Sequence, residues 1–425
     1  MDTHLLVHVD LDGAPRFVGR LWARNNKGRE SATFEYDDAW LATPLRFALE
    51  PALGLGKGPQ HTVAGRSLFG AIGDSAPDRW GRVLIQREER RKARQQKRQP
   101  HTLGEIDYLL GVGDIARQGA LRFAEHQGGP FLALGDAAQI PSLIRLPQLL
   151  NAAMRVSADD ETDDDIQLLL APGSSLGGAR PKASVIDKDG HLAIAKFPQH
   201  NDDRRIPLWE ALALKLATAA GIPTPTWRLE NIADKPVLIL RRFDRAEAHR
   251  IPFLSAISML DATDNEQHSY MEIADALRQY GAQAEEDCAQ LWRRIVFNVL
   301  ISNTDDHLRN HGFLYATRRG WRLAPAYDLN PTPTDIKARV LSLAIDEEDN
   351  TASLDLALEV AAHFGVKPEE AKSIATEVGK AVSNWRHVAA SLGLSKNEID
   401  RMSSAFEHAD FSAAVGGYMG RPTEL

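Results

Sequence analysis

The sequence predicts an α+β protein with a β-rich N-terminal subdomain, then a small β-rich lobe, then a larger helical lobe. Residues 1–45 alternate between apolar and polar side chains as strands do, and two further hairpin patterns lie between residues 183 and 244. Beyond about residue 266 the apolar side chains recur with a helical period. We therefore predict three parts, at residues 1–135, 136–265 and 266–425.

The composition is that of an ordinary soluble globular protein, and it excludes several classes. The formal net charge of −8 disfavours nucleic-acid binding by the chain alone, which needs a basic field. The single cysteine, Cys288, excludes an internal disulfide, and its place in a predicted helix favours a packed, inert thiol. The sequence shows no signal-peptide pattern and no apolar run of the roughly 18 residues needed to span a bilayer, so we expect a cytoplasmic protein.

Residues that break strands mark the ends of the predicted elements in the first part. Glycine and aspartate interrupt the alternating stretches HLLVHVDL, RFVGRLWA and SATFEY, as in hairpins. Helices are predicted over residues 75–98 and 105–116, and short strands at QGALRFAE and PFLAL. The basic run 87–98 is expected to be a solvated helix face, with contacts to phosphates or to an acidic partner as the alternative. The acidic run 157–165 predicts a linker or a helix start.

In the second part, ASVIDKDGHLAIAKFP predicts a hairpin that turns at Asp187–Gly190. A helix follows in PLWEALALKLATAAGIP and is closed by Gly221 and Pro223. PTWRLENIADKPVLILRRFD predicts a second hairpin. The later helices are predicted at SYMEIADALRQYG, EDCAQLWRRIVFNVLIS, DLALEVAAHFG, PEEAKSIATEVGKAVSNWRHVAASLG and SKNEIDRMSSAFEH.

The stretch ISNTDDHLRNHGFLY, residues 301–315, concentrates titratable and amide side chains where a predicted helix gives way to strands. Within it, Asp305 and Asn310 lie five residues apart. Phosphoryl transfer needs a carboxylate that orients the attacking hydroxyl and oxygen ligands that hold Mg²⁺ on the nucleotide phosphates. The catalytic loop of protein kinases uses Asp-x-x-x-x-Asn for these two tasks. The spacing alone is common, so it needs support from other parts of the chain.

Asp328 and Lys196 supply part of that support. Asp328 follows the predicted strand GWRLA, in PAYDL, and forms a sensible pair of Mg²⁺ ligands with Asn310. Lys196 lies near the end of a strand, where it is placed to reach the α/β-phosphates of a nucleotide. Glu210, on the following helix, is expected to pair with Lys196 and hold it.

The loop GSSLGGARPKAS, residues 173–184, directly precedes the first hairpin. Gly177 and Gly178 let the backbone approach phosphates closely, and Arg180 and Lys182 add positive charge. Glycine-rich loop, strand lysine, helix glutamate, Asp-x4-Asn and a final aspartate form the order found in protein kinases. That order, with a β-rich lobe before a helical one, favours a kinase more strongly than any single feature does.

Each feature also has a structural explanation. In these structural explanations, Asp305 only caps a helix, Lys196 is only a strand-edge lysine, and the glycines only form a surface turn. His307 and His311 have the spacing of zinc ligands on a helix, but the glutamate of H-E-x-x-H is missing. GLGKG, residues 54–58, lacks the Walker spacing.

On these residues the chain resembles the HipA family of serine/threonine kinases, the toxin components of bacterial type II toxin–antitoxin modules. The stretches that carry the resemblance are SSLGGARPKA, AKFP, RRFDR, SNTDDHLRN and PAYDL. GDSAPDRWGR and GDIARQGALRF are similar to the family's N-terminal subdomain. The resemblance implies a two-lobed protein-kinase-like fold, with the N-terminal subdomain added to it.

The resemblance also implies roles, with ATP and Mg²⁺ as cofactors. Asp305 corresponds to the catalytic base, Asn310 and Asp328 to the Mg²⁺ ligands, and Lys196 to the ATP-phosphate lysine. Arg241 to Phe243 correspond to the hinge that presents backbone groups to adenine. Ser175, with Ser174 as the alternative, lies where family members autophosphorylate, which ejects the loop and disassembles the phosphate cradle.

The family's substrates are aminoacyl-tRNA synthetases, and its partner is a HipB-like helix-turn-helix antitoxin. The resemblance therefore implies a protein substrate, contact with DNA only through the antitoxin, and no membrane. For Asp244, a place in the active-site network and an ion pair with Arg242 or Arg245 remain equally open. For His307, a structural hydrogen bond is favoured over contact with a phosphate.

Two other functions stay open. One is a kinase-like scaffold that acts mainly as a corepressor with a DNA-binding partner, and the other is a small-molecule kinase. The complete set of carboxylates and the lysine favours an active enzyme over a scaffold.

Overall fold

The computed structural model describes residues 2–26, 28–132, 140–170, 178–247, 249–264, 266–316 and 320–416. The chain forms two compact units, one of Met1–Asp202 with Trp227–Ala262 and the other of Asp203–Thr226 with Thr263–Leu425. Across the described ranges, no helix is long and apolar enough to cross a membrane. The division into three parts made from the sequence stays a prediction.

The first unit opens with an antiparallel sheet of five strands in the order β4-β3-β2-β1-β5. Its strands are β1 (Asp2–Leu11), β2 (Ala14–Asn26), β3 (Arg29–Tyr36), β4 (Gln60–His61) and β5 (Leu121–Ala124). Alternate residues of β1, Leu5, Val7 and Val9, are fully buried, so the sheet has one face on the core. The alternating pattern of residues 1–45 therefore predicted β1, β2 and β3 correctly.

Helices of the first unit cover this sheet and a second one. They are α1 (Asp38–Ala42), α2 (Gly70–Gly73), α3 (Arg79–Gln95), α4 (Glu105–Leu110), α5 (Leu146–Ser157), α6 (Asp163–Leu170) and α8 (Ala256–Met259). Helix α3 begins where the Asp78 side chain accepts a hydrogen bond from the Gly81 N–H at 2.8 Å. It buries Trp80 and Leu84 in a core shared with α5 and α6.

The second sheet of this unit has four antiparallel strands in the order β6-β7-β9-β8. These are β6 (Lys182–Ile186), β7 (Leu192–Lys196), β8 (Trp227–Ile232) and β9 (Lys235–Arg241), and the short strands β10 (Arg245–Ala246), β11 (His249–Arg250) and β12 (Phe253–Ser255) follow. Both hairpins predicted from the sequence are present. Val185, Ala193 and Val237 face the same core as α5 and α6.

The basic and acidic runs of the sequence contact each other in this unit. Arg87 pairs with Asp159 at 2.6 Å and with Glu161, and Arg94 pairs with Asp163 at 3.1 Å. The expectation of a fully solvated basic face is wrong for Arg91, which is buried and paired with Glu88 on its own helix. The acidic run is a helix start, because α6 begins within it.

The second unit is mostly helical. Its helices are α7 (Ile206–Ala219), α9 (Tyr270–Tyr280), α10 (Ala284–Leu300), α11 (Leu354–Glu359), α12 (Pro368–Ser383), α13 (Trp385–Ser391), α14 (Lys396–Arg401), α15 (Ser403–Phe406) and α16 (Ala409–Gly416). Strands β13 (Gly312–Tyr315) and β14 (Trp321–Leu323) form a hairpin. Helix α10 runs through the centre, with Trp292 and Phe297 fully buried. Its Cys288 is buried as well, and burial raises the pKa of that thiol, as expected for an inert side chain.

Glu50 is a buried carboxyl of the first unit. Its side chain is directed at the start of α2 and accepts the Ala71 N–H, while Asp74 and Asp261 lie near enough to oppose its ionisation. Burial raises the pKa of Glu50 to about 7. The protonated form is thus the one that the folded state favours.

This pKa predicts a specific dependence of stability on pH. Because the pKa rises on folding from 4.5 to about 7, the stabilisation is complete below about pH 4.5 and is lost as the pH rises through 7. Glu50→Gln should remove this dependence. We expect the free energy of unfolding of the wild type to fall relative to the variant by up to about 1.4 kcal/mol per pH unit in that window. Urea unfolding at several pH values measures it.

Glu125→Gln is the matched control, since Glu125 is exposed on the surface of the same unit. It should leave the pH profile of the wild type unchanged. An identical pH profile in wild type and Glu50→Gln would show that Glu50 does not titrate in this range.

Candidate active site

The segment that follows α10 turns sharply and presents Asp305 to solvent. A short 3₁₀ helix at Leu308–Asn310 ends the segment before β13. The Asn310 side chain, only 8% exposed, donates from Nδ2 to the Asp305 carbonyl at 3.0 Å. The Asn310 N–H donates to the His307 carbonyl at 2.8 Å. The two residues singled out by their spacing are therefore joined directly, with the Asp305 carboxylate outward.

Asp306 is turned the opposite way, into the interior. Its Oδ2 accepts from Tyr270 Oη at 2.7 Å, from Asn298 Nδ2 at 2.8 Å and from His311 Nε2 at 2.8 Å. Burial alone would raise the pKa of this carboxyl. The interaction with His311 and the hydrogen bond from Tyr270 hold the pKa below its usual value, so Asp306 is a buried carboxylate.

Hydrogen-bonded amide side chains connect this loop to the segment that contains Asn330. Asn303 donates from Nδ2 to Asn298 Oδ1 at 3.1 Å, and its own Oδ1 accepts the Asn330 N–H at 3.2 Å. Asn298 and Asn303 are fully buried. Since buried polar groups are costly unless paired, this chain fixes the distance between the two segments.

Asp328 lies in the segment that this chain reaches. Its backbone is left-handed, with φ of 60°, a conformation that costs most residues roughly 1–2 kcal/mol. Tyr327 donates from Oη to the Arg309 carbonyl at 2.8 Å, and Asn330 donates from Nδ2 to the Asp328 carbonyl at 3.1 Å. Asp328 is thus held against the segment 303–310 from both sides, in a backbone conformation that neighbouring contacts must maintain.

A second layer of donors supports the loop from behind. Lys337 Nζ and Ser342 Oγ both donate to the Thr304 carbonyl, at 2.8 Å and 3.1 Å. Arg339 donates to Ser302 Oγ at 3.1 Å and to the Val299 carbonyl at 3.0 Å. The carbonyl groups of Val299 and Thr304 are therefore occupied, which restrains the loop before Asp305.

Predicted nucleotide contacts in the first unit are only partly described. Lys196 ends β7 and lies opposite Lys182 across the β6–β7 ladder. Lys182 is buried, and its Nζ binds Asp78 at 2.8 Å and the Gly178 carbonyl at 3.0 Å. Lys182 thus makes a structural ion pair here, and a phosphate contact would require it to exchange partners.

Other residues of the predicted cradle have different placements. Arg180 pairs with Asp202. Gly178 adopts φ of 105°, which only glycine takes up readily. Ser174, Ser175 and Gly177 lie outside the described residues, so their predicted roles stay predictions.

Glu210 and the predicted hinge are placed in different units. Glu210 is buried in α7 of the second unit, and its pairing with Lys196 of the first unit stays a prediction. Arg241 ends β9, with its guanidinium 3.2 Å from His191 Nδ1. Phe243 follows in a turn, with its ring centroid 6.2 Å from that of Phe253.

Of the two alternatives for Asp244, the structure shows the ion pair. Asp244 is buried and bonds Arg242 and Arg245 together, and its Oδ2 also accepts the Gly119 N–H at 2.8 Å. Burial opposes its ionisation, but the two guanidinium groups hold its pKa far below the usual value. The same arginines donate to the carbonyls of residues 115–119, so the cluster ties the end of β9 to that loop.

Among the histidines, His307 and His311 differ in burial. His307 is exposed, whereas His311 is buried and makes the structural hydrogen bond that the sequence analysis favoured for His307. Within the described parts of the chain, no group of three or more His, Cys, Asp or Glu side chains could hold a metal ion. The zinc alternative is not supported there.

Several residues of the site were missed from the sequence. They are Tyr270, Asn298, Asn303, Asp306 and Asn330. Asp306 and Asn303 lie within the stretch 301–315. Its two adjacent aspartates were a signal that one of them has a role other than that of the base. Tyr270 and Asn298 lie on helices without any local mark of their role.

The donor set suits Mg²⁺ bound to nucleotide phosphates. Asn310 offers an amide oxygen and Asp328 a carboxylate, and Mg²⁺ binds few protein oxygens when phosphates and waters complete its octahedron. The Asn310 amide nitrogen is already used by the Asp305 carbonyl, which leaves its oxygen available for a cation. The residues present therefore fit the cofactor that the sequence implies.

Comparison with known proteins finds a matching family model, similar sequences and a similar fold. Residues 174–385 match the HipA-like C-terminal domain. The whole fold is similar to a chain in the solved complex of the Shewanella oneidensis MR-1 toxin–antitoxin system HipA, HipB and operator DNA. The TM-score is 0.67 at 15% identity, over 98% of this chain and 97% of that one.

Two curated relatives are each described as a putative kinase. The relative from Haemophilus influenzae is 26% identical over 254 residues, which cover 53% of this chain and 69% of that protein. Y4mE from Sinorhizobium fredii is 27% identical over 184 residues, which cover 37% of this chain. The match spans only 42% of the length of Y4mE.

The fold and these relatives define a kinase-like α+β protein, which confirms the fold class predicted from the sequence. Over residues 174–385 the chain carries a HipA-like C-terminal domain.

Proposed function

We propose that the chain transfers the γ-phosphoryl group of ATP to a serine or threonine of a protein. Asp305 orients the acceptor hydroxyl and takes up its proton as the O–P bond forms, and the bond between the γ-phosphorus and the β,γ-bridging oxygen breaks to release ADP. Asn310 and Asp328 hold Mg²⁺, which when bound neutralises charge on the phosphates. Lys196 binds the α/β-phosphates, and Glu210 orients that lysine.

One observation carries this proposal. The segments of Asp305, Asn310 and Asp328 are bonded to one another, through Asn310 to Asp305, Tyr327 to Arg309 and Asn330 to Asn303. The segments that carry these three oxygen-bearing side chains are thus held to one another before any ligand binds. Preorganised groups of this kind supply most of the catalysis in phosphoryl transfer, since the protein does little covalent chemistry.

The remaining assignments follow the family. The protein substrate is an aminoacyl-tRNA synthetase, the glycine-rich loop is phosphorylated on Ser175 or Ser174, and a HipB-like DNA-binding antitoxin neutralises the enzyme. Arg241 to Phe243 present backbone groups to the adenine. The net charge of −8 supports contact with DNA only through that partner.

The first prediction concerns the base. Asp305→Asn keeps the size of the side chain but removes its negative charge, so we expect phosphoryl transfer from radiolabelled ATP to fall by roughly 10²–10⁴-fold. Calorimetry should show nucleotide affinity close to that of the wild type, because Asp305 does not hold the phosphates.

Two comparisons make this result specific. Asp328→Ala should weaken nucleotide binding in Mg²⁺ and leave binding in EDTA unaffected, since it removes a metal ligand. Glu370→Gln, an exposed change on α12, should behave as the wild type in both assays. Full activity in Asp305→Asn would disprove the assignment of the base. Transfer to small metabolites but not to lysate proteins would identify a small-molecule kinase.

The second prediction concerns the loop serines. After incubation with MgATP, intact-mass measurement should show one added phosphate, and peptide sequencing should locate it at Ser174 or Ser175. Alanine at the modified serine should abolish the added mass, while alanine at the neighbouring serine should not. Modification of other residues only, in an active preparation, would contradict autophosphorylation of this loop.

The third prediction concerns DNA. The chain alone should leave duplex DNA unshifted in a gel, whereas it should further retard a complex of HipB-like protein with its operator. Retardation of DNA by the chain alone, at physiological salt, would contradict the indirect contact proposed here.

A further inference from the structure

We infer that Asp306 and His311 form a staple that sets the separation of Asp305 and Asn310, which makes both of them positioning residues of the phosphoryl-transfer site. The inference rests on the proposed function, because it concerns the same loop. Neither residue touches the reacting atoms, since both are buried while the Asp305 carboxylate faces solvent.

Sequence position is the first step. Asp306 directly follows Asp305, and His311 directly follows Asn310. The hydrogen bond from His311 Nε2 to Asp306 Oδ2, at 2.8 Å, therefore closes the segment 305–310 at both ends. Inside it, Asn310 Nδ2 donates to the Asp305 carbonyl at 3.0 Å. Two bonds at adjacent positions leave the Asp305–Asn310 separation almost no freedom.

Anchoring to the helices is the second step. The same Asp306 oxygen accepts from Tyr270 on α9 and from Asn298 on α10, at 2.7 Å and 2.8 Å. The His311 ring packs edge-on against the Tyr270 ring, with centroids 5.6 Å apart. Both ends of the staple are therefore fixed to the most deeply packed part of the second unit, and the loop inherits that rigidity.

The cost of the arrangement is the third step. Removing a carboxylate from water costs several kcal/mol, and an apolar pair of similar volume often stabilises a fold as well or better. A junction between a helix and a strand needs only a cap, and other buried acids of the chain, Asp244 and Asp287, have structural roles. What distinguishes Asp306 is its position next to Asp305, because displacement of a catalytic group by about 1 Å can lower the rate by 10²-fold.

The test compares His311→Leu with His311→Gln. Leucine removes the donor, so we expect kcat to fall by roughly 10–10²-fold and the Mg²⁺ concentration for half-maximal rate to rise, because base and metal ligand both move. Glutamine can donate from Nε2 and should recover most of kcat. A role in stability alone predicts lower unfolding temperatures with unchanged kcat and Mg²⁺ dependence in the folded fraction.

Asp287→Asn is the matched control. Asp287 is a buried carboxylate of the same unit that accepts from Arg322 Nε at 2.8 Å and from the Leu323 N–H at 3.1 Å, away from the segment 305–310. It should lower the unfolding temperature without changing kcat. If His311→Leu keeps the wild-type kcat and Mg²⁺ dependence, or if Asp287→Asn lowers kcat equally, the staple is not a positioning device.

Amide hydrogen exchange separates this outcome from a failure of the proposed function. His311→Leu should speed exchange across residues 305–310, and His311→Gln and Asp287→Asn should not. Unchanged exchange in His311→Leu would overturn the staple whatever the activity. A wild type without phosphoryl transfer, but with faster exchange in His311→Leu, would overturn the proposed function and leave the staple in place.

Discussion

The buried carboxylate of Asp306 is the interaction on which the second unit depends most. A tyrosine from α9, an asparagine from α10 and the histidine directly before β13 all donate to one of its oxygen atoms. A buried charge tolerates few alternative arrangements, since any displacement leaves it unpaired. The loop that carries Asp305 is therefore determined by the helical core, although its own residues are polar and mostly irregular in structure.

The first unit uses the same device at a different place. Asp244 is also a fully buried carboxylate, and two arginines and a backbone amide surround it. The guanidinium groups bind carbonyls of the loop before β5, so the strand that ends at Arg241 cannot shift without breaking several charged contacts. In each unit a buried aspartate, Asp306 or Asp244, fixes the conformation of an irregular segment at the surface. Irregular backbone gains from this arrangement, because it lacks ladder hydrogen bonds of its own.

The separation of interacting residues along the chain decided whether the sequence predicted their contact. Hairpins such as β6–β7 and the helix closed by Gly221 depend on neighbours a few residues away, and pattern alone predicted them. The inward turn of Asp306 depends on Tyr270, 36 residues earlier. The burial of Lys182 depends on Asp78, 104 residues earlier, so a lysine in a glycine-rich stretch resembled a free cation. Local composition could not tell His311 from His307 for the same reason.

The Lys182–Asp78 pair has a consequence for how the polypeptide acquires its structure. Trp80 on α3 also donates from Nε1 to the Lys182 carbonyl at 3.0 Å and packs with Leu84 against β6, β7 and β9. Helix α3 is therefore completed by strands synthesised about a hundred residues later, and closing such a loop is slow. A fragment cut after residue 135 would expose this aromatic surface to water. The core around α3 is therefore complete only when the strands that follow residue 135 are in place.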